Sequence, residues 1–431
     1  MSGSTTMRSF LASVESRATK FRALSSNPPI LVSGSGSWLT DDTGRRYLDF
    51  GCGSAVNNLG HDHPALREAI VQQLGTGLLH AGPHFQTEIH VRYYEKLRSL
   101  LPTSLSHFHP ATNGTEAIEV ALKMAQLHTG GSQFISFRGS YHGRTRGSLA
   151  VSAGKAANAA LGVTSPAAAF FQYPRCASCT RRKDGSGCCG FAQTELEDVL
   201  DEPKNGLGKL AGIIVEPVQG TGGLHVPPVE FLHTLRSLAT DLGVPLIFDE
   251  VFTNGGRTGR FFAFEHFGVT PDILCMGKMI TAGVPGACVA VTAEINDGQA
   301  VGSQTSTFQL GPLSAAAGLA GMRILLEEDL LDRAAEIHVR TIRALAPLLS
   351  LPTVRDVRGI GAMNGIEIVD AESGRPDTAT AKQLRARMLE NGLITYECGS
   401  HNHVIGLLPP LVITEEELDQ GFSIISEALL T

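Results

Sequence analysis

A chain of 431 residues, 42% hydrophobic and 18% charged, is long enough to bury two or three cores and has the balance of a soluble globular protein. Its formal net charge of −7 speaks against a nucleic-acid partner, and no window approaches the roughly 20 apolar residues of a membrane span. Eight cysteines in a chain of this size do not make a secreted disulfide framework, because so large a core needs no staples.

The N-terminal stretch MSGSTTMRSFLASVESRATKFRAL interleaves charge with apolar residues and lacks the unbroken apolar core of a signal peptide. It reads as an amphipathic helix on a cytoplasmic protein. GSWLTDDTGRRYLDF then carries strand and hairpin signals. Asn113-Gly114-Thr115 opens a predicted helix with an apolar stripe of Ala117, Ile118, Ala121, Leu122 and Ala125. QFISF (133–137), AGIIV (211–215), VPLIF (244–248), DILCM (272–276) and ACVAV (287–291) read as buried strands. Between them, Phe231, Leu232, Leu235 and Leu238 share one helical face, and Gly243 is a C-terminal stop.

This alternation predicts an α/β fold with a mainly parallel sheet covered by helices. Past about residue 325 the texture changes to long helices, short strands and a last helix from Thr414. The expected division is an N-terminal segment (1–55) packing with a small α+β domain (326–431), and a large domain (56–325) between them. Cys176, Cys179, Cys188 and Cys189 form a cluster with a C-x-x-C spacing suited to zinc, but the adjacent pair is awkward for two ligands on one ion. Reduced thiols in a loop, with no metal, is the expectation.

Lys278 sits in DILCMGKMITAG, just past an apolar run. An ammonium is costly to remove from water, and a lysine in a dry pocket becomes a neutral nucleophile suited to Schiff bases. Three other features bear on it. The helix start at Gly114-Thr115 suits a phosphate. Asp249 ends the strand LIFD, where a carboxylate needs a cationic partner and where open α/β sheets place ligands. Tyr141 follows another predicted strand and suits stacking on a flat ring. A phosphate seat, a buried acid, a stacking ring and a lysine together fit pyridoxal 5′-phosphate (PLP).

On YLDFGCGSAVNNLGHDHP, NGTEAIEVALKMA, FRGSYHGRT, IIVEPVQGTGG, IFDEVFTNGGRTGRFFAFEHFGVTPDILCMGK, STFQLGP and LLPPLVITEEELDQ, the chain resembles the class III (ornithine/4-aminobutyrate-type) aminotransferases along nearly its whole length. The resemblance implies the PLP-dependent transferase fold type I and a homodimer with shared active sites. It assigns Lys278 as Schiff-base lysine and proton carrier, and Asp249 as partner of the ring nitrogen. Val251 and Tyr141 would pack on the ring faces and Gly114 with Thr115 would seat the phosphate. Thr307 would reach the phosphate from the neighbouring subunit, and Glu216 would lie beside cofactor and substrate.

The sequence departs from that pattern in four places. Gly406 in VIGLLPPL stands where amino-acid enzymes of the family often carry a carboxylate-gripping arginine. Thr221 in EPVQGTGG stands where many have the glutamate that masks it. Losing both ends of one ion pair is coherent, since losing one would strand a buried charge. Arg257 or Arg260 taking over is the alternative. Phe252 replaces a usual glutamine, and Cys52 a more usual serine. Cys52 reads either as an apolar filler or as a second acid/base opposite Lys278, its ordinary pKa of about 8.5 being within reach.

The resulting expectation is a substrate without the usual carboxylate, met by Cys52, Glu216 and Phe252. An amino sugar fits, by resemblance to family members acting on the 6′-amine of aminoglycosides in antibiotic biosynthesis, through transamination, epimerisation or both. The conservative alternative is an ω-amino-acid or diamine:2-oxoglutarate aminotransferase. A non-enzymatic sensor or a metal-organised interaction protein has less to recommend it, because lysine and aspartate are both present and no basic recognition helix is evident.

Overall fold

The computed structural model describes residues 28–153, 167–175, 190–202 and 206–430. The expected N-terminal amphipathic helix and the four-cysteine cluster lie outside the described residues. Among the described residues, fourteen strands form two seven-stranded sheets. In chain order they are β1 (Leu31–Ser35), β2 (Trp38–Asp41), β3 (Arg46–Phe50), β4 (His107–Ala111), β5 (Gln133–Phe137), β6 (Ala167–Phe171) and β7 (Leu210–Val215). They continue with β8 (Leu246–Asp249), β9 (Ile273–Met276), β10 (Ala287–Val291), β11 (Val354–Ile360), β12 (Met363–Ile368), β13 (Leu393–Cys398) and β14 (Val404–Leu407).

The central sheet runs β4-β10-β9-β8-β7-β5-β6. Only β10 is antiparallel, to both β4 and β9, so the other six strands end at one edge. Each predicted strand of the middle segment is present. The β8 and β9 residues are all buried, which is why those segments read as apolar runs up to Asp249. One face is covered by the helix Gly114–Thr129. Its Ala117, Ile118, Ala121, Leu122 and Ala125 pack in one cluster with Ile214, Ile247, Ile273 and Val289 of the sheet. The helix Val229–Asp241 buries Phe231, Leu232 and Leu235 in the other, larger cluster and stops before Gly243, whose φ is +63°.

The second sheet runs β1-β2-β3-β13-β14-β12-β11. The predicted hairpin is β2–β3, and β3 pairs in parallel with β13, so the N-terminal strands join the C-terminal ones in one sheet. The long helical run is two helices, Pro312–Glu327 and Leu330–Leu345. The first begins before the expected break at 325 because its small residues let it sit against the lysine turn. A Cβ at Gly318 would stand 2.7 Å from the Tyr93 ring and 3.2 Å from Thr281 Cα.

Candidate active site

Parallel strands carry the site, because their C-terminal ends share one edge. Tyr141 and His142 follow β5, Glu216 follows β7, Asp249 ends β8 and Lys278 follows β9. The helix start at Gly114, after β4, completes the rim. Asn113, Gly114, Thr115, Tyr141, His142, Gly143, Glu216, Thr221, Asp249, Val251, Phe252 and Lys278 line one cavity of about 240 Å³. Of the ten residues that the sequence marks as catalytic, cofactor-binding or substrate-binding, eight meet here; Cys52 and Thr307 do not.

The helix start is built for close approach. Asn113 Oδ1 accepts a hydrogen bond from the Glu116 N–H at 3.0 Å, capping the helix and leaving the Gly114 and Thr115 amides at its mouth. A Cβ on Gly114 would stand 2.6 Å from Val251 Cγ1. Gly114→Ala therefore has to displace Val251. We expect it to cost about 1–3 kcal/mol of stability by overpacking and to weaken PLP binding, read by thermal denaturation and cofactor titration.

Asp249 is 4% exposed, and two neighbours hold its carboxylate. Oδ1 accepts from the Val251 N–H at 3.0 Å, and Oδ2 lies 2.7 Å from His142 Nδ1. His142 is buried, its Nε2 has no partner, and its N–H donates to Ser152 Oγ at 2.8 Å. The sequence reading passed over His142, although it stands beside the tyrosine already marked. Glu216 is also buried, accepting from the Tyr141 and Gly220 amides at 2.9 Å each. Burial pushes its carboxyl up to about 7; the Asp249 charge adds to the rise, while His142 and the two amides oppose it.

Lys278 adopts φ +53°, a left-handed conformation that a side-chain-bearing residue holds at a cost and that clusters at functional sites. Its Nζ lies 4.1 Å from the Phe252 ring centroid. Burial lowers the amine to about 8 despite Asp249 and Glu216, which pull the other way, and Arg257 adds to the lowering. The neutral nucleophile thus becomes dominant above about pH 8 rather than above the usual 10.5. The rate of PLP uptake by apoprotein should rise through about pH 8 and level off beyond it, followed by stopped-flow absorbance.

Cys52 stands apart from this cavity. Cys52 is fully buried and does not line the cavity. It opens a turn in which Cys52, Gly53, Ser54 and Ala55 all have left-handed φ, between +50° and +67°. The thiol donates to Asn57 O at 2.8 Å and accepts from Arg257 Nη2 at 3.0 Å. Burial pushes it up to about 11, beyond the near-neutral exchange that a second proton carrier needs. The same contacts answer the arginine question. Arg257 is buried with Nη1 on the Ala362 and Pro409 carbonyls and Nη2 also on Asn58, while Arg260 is exposed. Thr307 is exposed and lies outside the cavity of its own chain.

Two further residues escaped the sequence reading. Arg144 is exposed at the rim, its Nε donating to the Tyr141 hydroxyl at 3.1 Å and its N–H to Thr115 Oγ1 at 3.2 Å. Tyr396 faces Gly406 across the second sheet and shares a hydrogen bond with Thr221. These side chains fit PLP: an amide-rimmed seat for its phosphate, Tyr141 and Val251 for its faces, a buried carboxylate for its nitrogen and an amine of lowered pKa for its aldehyde.

The described helices include none long and apolar enough to cross a membrane. The family model of aminotransferase class III matches residues 23–429. The chain is 37% identical over 407 residues to a diaminobutyrate–2-oxoglutarate aminotransferase of Rhizobium meliloti, covering 91% of this chain and 86% of the relative. It is 35% identical to a 5-aminovalerate aminotransferase of Pseudomonas putida, covering 93% of each. Among solved structures, an (S)-enantioselective omega-transaminase from Thermomicrobium roseum superposes with a TM-score of 0.88 at 29% identity, covering 98% of both chains. An ornithine aminotransferase from Toxoplasma gondii, with partial occupancy of PLP at its active site, superposes at 0.83 with 27% identity, covering 98% of this chain and 94% of the other. With the lysine, carboxylate and helix-start geometry in place on a fold type I scaffold, the chain belongs to the class III aminotransferases, enzymes that use PLP.

Proposed function

We propose that this enzyme transfers the terminal amine of an ω-amino acid or diamine, with the substrate's distant carboxylate meeting Arg144. The observation that carries the reading is the position of charge. The exposed guanidinium stands at the rim on Tyr141, while the Phe252 and Thr221 wall beside Lys278 is uncharged. The diaminobutyrate and 5-aminovalerate relatives support it.

PLP supplies an electron-accepting ring that makes the proton on the amine-bearing carbon removable. Lys278 Nζ takes that proton and returns it. An amine lowered to about 8 reaches its neutral, basic form far more readily than an ordinary lysine. Asp249 would keep a proton on the ring nitrogen, and His142 holds its carboxylate in place. Gly114 and Thr115 would seat the phosphate, Tyr141 and Val251 would flank the ring, and Glu216 fixes the Tyr141 and Gly220 amides. The reading includes a homodimer in which Thr307 of each chain serves the other chain's cavity, supported by its exposure away from its own.

A second reading, an amine with no carboxylate such as an amino sugar, is favoured by Gly406 and Thr221 alone. The relatives named above do not support it, and with Cys52 away from the cavity epimerisation is not part of the proposal. The test is conversion of PLP-loaded enzyme to its amino form by 5-aminovalerate, 2,4-diaminobutyrate or a 6-amino-6-deoxy sugar, followed by absorbance. Faster conversion by the first two supports the main reading, and faster conversion by the sugar replaces it.

A further inference from the structure

Asn254 lies in the turn after β8 and is 1% exposed. Its Nδ2 donates toward three carbonyl oxygens, Glu250 at 2.5 Å, Gly277 at 3.0 Å and Val251 at 3.4 Å. Acceptors on every side fix which end of the amide is the NH2, since an oxygen there would be repelled. Two of these carbonyls belong to the segment that carries Asp249, Val251 and Phe252, and the third immediately precedes Lys278. The backbone ladder between the two segments ends just short of the site. Asp249 pairs with Cys275, and the next rung is the Glu250 N–H donating to Cys275 O at 2.9 Å. Beyond it, the Asn254 side chain makes the tie. Its support is rigid, because the Glu250 carboxylate accepts from the Ala263 and Phe264 amides at 2.7 and 2.8 Å and from the Thr253 hydroxyl at 2.8 Å.

We propose that Asn254 is a positioning residue whose amide holds the Gly277 carbonyl and thereby sets where the Lys278 amine stands relative to Asp249 and the phosphate seat. The inference goes beyond the terminal-amine reading and does not depend on it. The Gly277–Lys278 peptide is the joint on which the lysine swings. Glycine resists rotation about its own bonds least of all residues, and Lys278 sits at φ +53°, a conformation that surrounding contacts must enforce. Gly277 O is held from two sides, by Asn254 and by the Ile280 N–H at 3.2 Å. The same peptide packs on the cofactor seat, since a Cβ on Gly277 would stand 3.2 Å from Val251 Cγ1 and 3.4 Å from Gly114 Cα. Releasing Gly277 O on the Asn254 side lets this peptide turn and carries the lysine stem with it. A reacting group displaced by about 1 Å loses about a hundredfold in rate.

The test is covalent capture of PLP by apoprotein, in which Lys278 Nζ replaces the aldehyde oxygen and water leaves. Wild type, Asn254→Leu and Asn254→Ser are mixed with rising PLP above about pH 8, where the amine is neutral, and the yellow form is timed by stopped-flow absorbance. Leucine keeps the volume without an N–H. Serine keeps a hydroxyl for Glu250 O, four residues back, but is too short for Gly277 O, and it serves if the leucine variant does not fold. Both should lower the limiting rate by about tenfold to a hundredfold, with the half-saturating PLP concentration unchanged because the Gly114 and Thr115 seat is intact. A wild-type limiting rate in a folded variant overturns the proposal, whether or not its melting temperature has dropped. A loss carried by the half-saturating concentration alone also overturns it, because it places Asn254 behind the phosphate seat rather than the lysine. Capture needs no amine substrate, so failure of the terminal-amine reading leaves this test intact.

Discussion

Lys278→Ala is expected to lower transamination by about 10⁴-fold, because it removes both the covalent tether and the base that moves the proton. The fold should survive. The amine is desolvated in place, so its removal lifts a cost on the apoprotein, and the melting temperature should not fall. PLP should still enter, since the seat at Gly114 and Thr115 and the carboxylate of Asp249 remain, but it should leave on gel filtration. Added methylamine, supplied as a diffusible base, should recover part of the lost rate. A variant that retains wild-type kcat would mean that another group moves the proton.

Asp249→Asn should reduce kcat by about a thousandfold with a smaller change in KM, as expected for a group whose charge matters while bonds are changing. The carboxylate is held by the Val251 amide and His142, and an amide of the same shape keeps the first contact but not the second as it stands. His142 Nε2 is already without a partner, so disturbing Nδ1 should cost about 1–3 kcal/mol in apoprotein stability. Denaturant titration of apoprotein and steady-state kinetics of loaded enzyme separate these two effects. Full activity with a lost spectral signature for the protonated ring would contradict the assigned role.

What could be read from the chain divides along physical lines. The strands β5, β7, β8, β9 and β10 announce themselves because nearly all their residues are buried and most are apolar. Once β5, β7, β8 and β9 are parallel, Tyr141, Glu216, Asp249 and Lys278 must meet, because each follows or ends a strand at one edge. The helix Pro312–Glu327 was harder to place. Its glycines and alanines serve close packing on the lysine turn, and nothing in a local pattern reveals a partner nearly forty residues earlier.

The surroundings of Cys52 were hidden for a related reason. Its neighbours in sequence suggested a place at the active site, but consecutive left-handed residues turn the thiol toward Asn57 and Arg257. Tyr396 and His142 were invisible for the opposite reason. Their significance lies in a cross-strand pairing with Gly406 and in a contact with Asp249 across 107 residues. The absence of side-chain volume at 406 was legible; what fills the space was not. The weight given to an amino sugar followed from reading that absence without Arg144, which offers a carboxylate a place at the rim.

The central claim is that the PLP carbonyl is bound by the amine of residue 278. Purified apoprotein should turn yellow on adding PLP, and borohydride should fix one cofactor per chain. Peptide mass mapping should then find the phosphopyridoxyl group on the peptide containing MGKMITAG. A colourless mixture, or a label on any other lysine, would contradict the account.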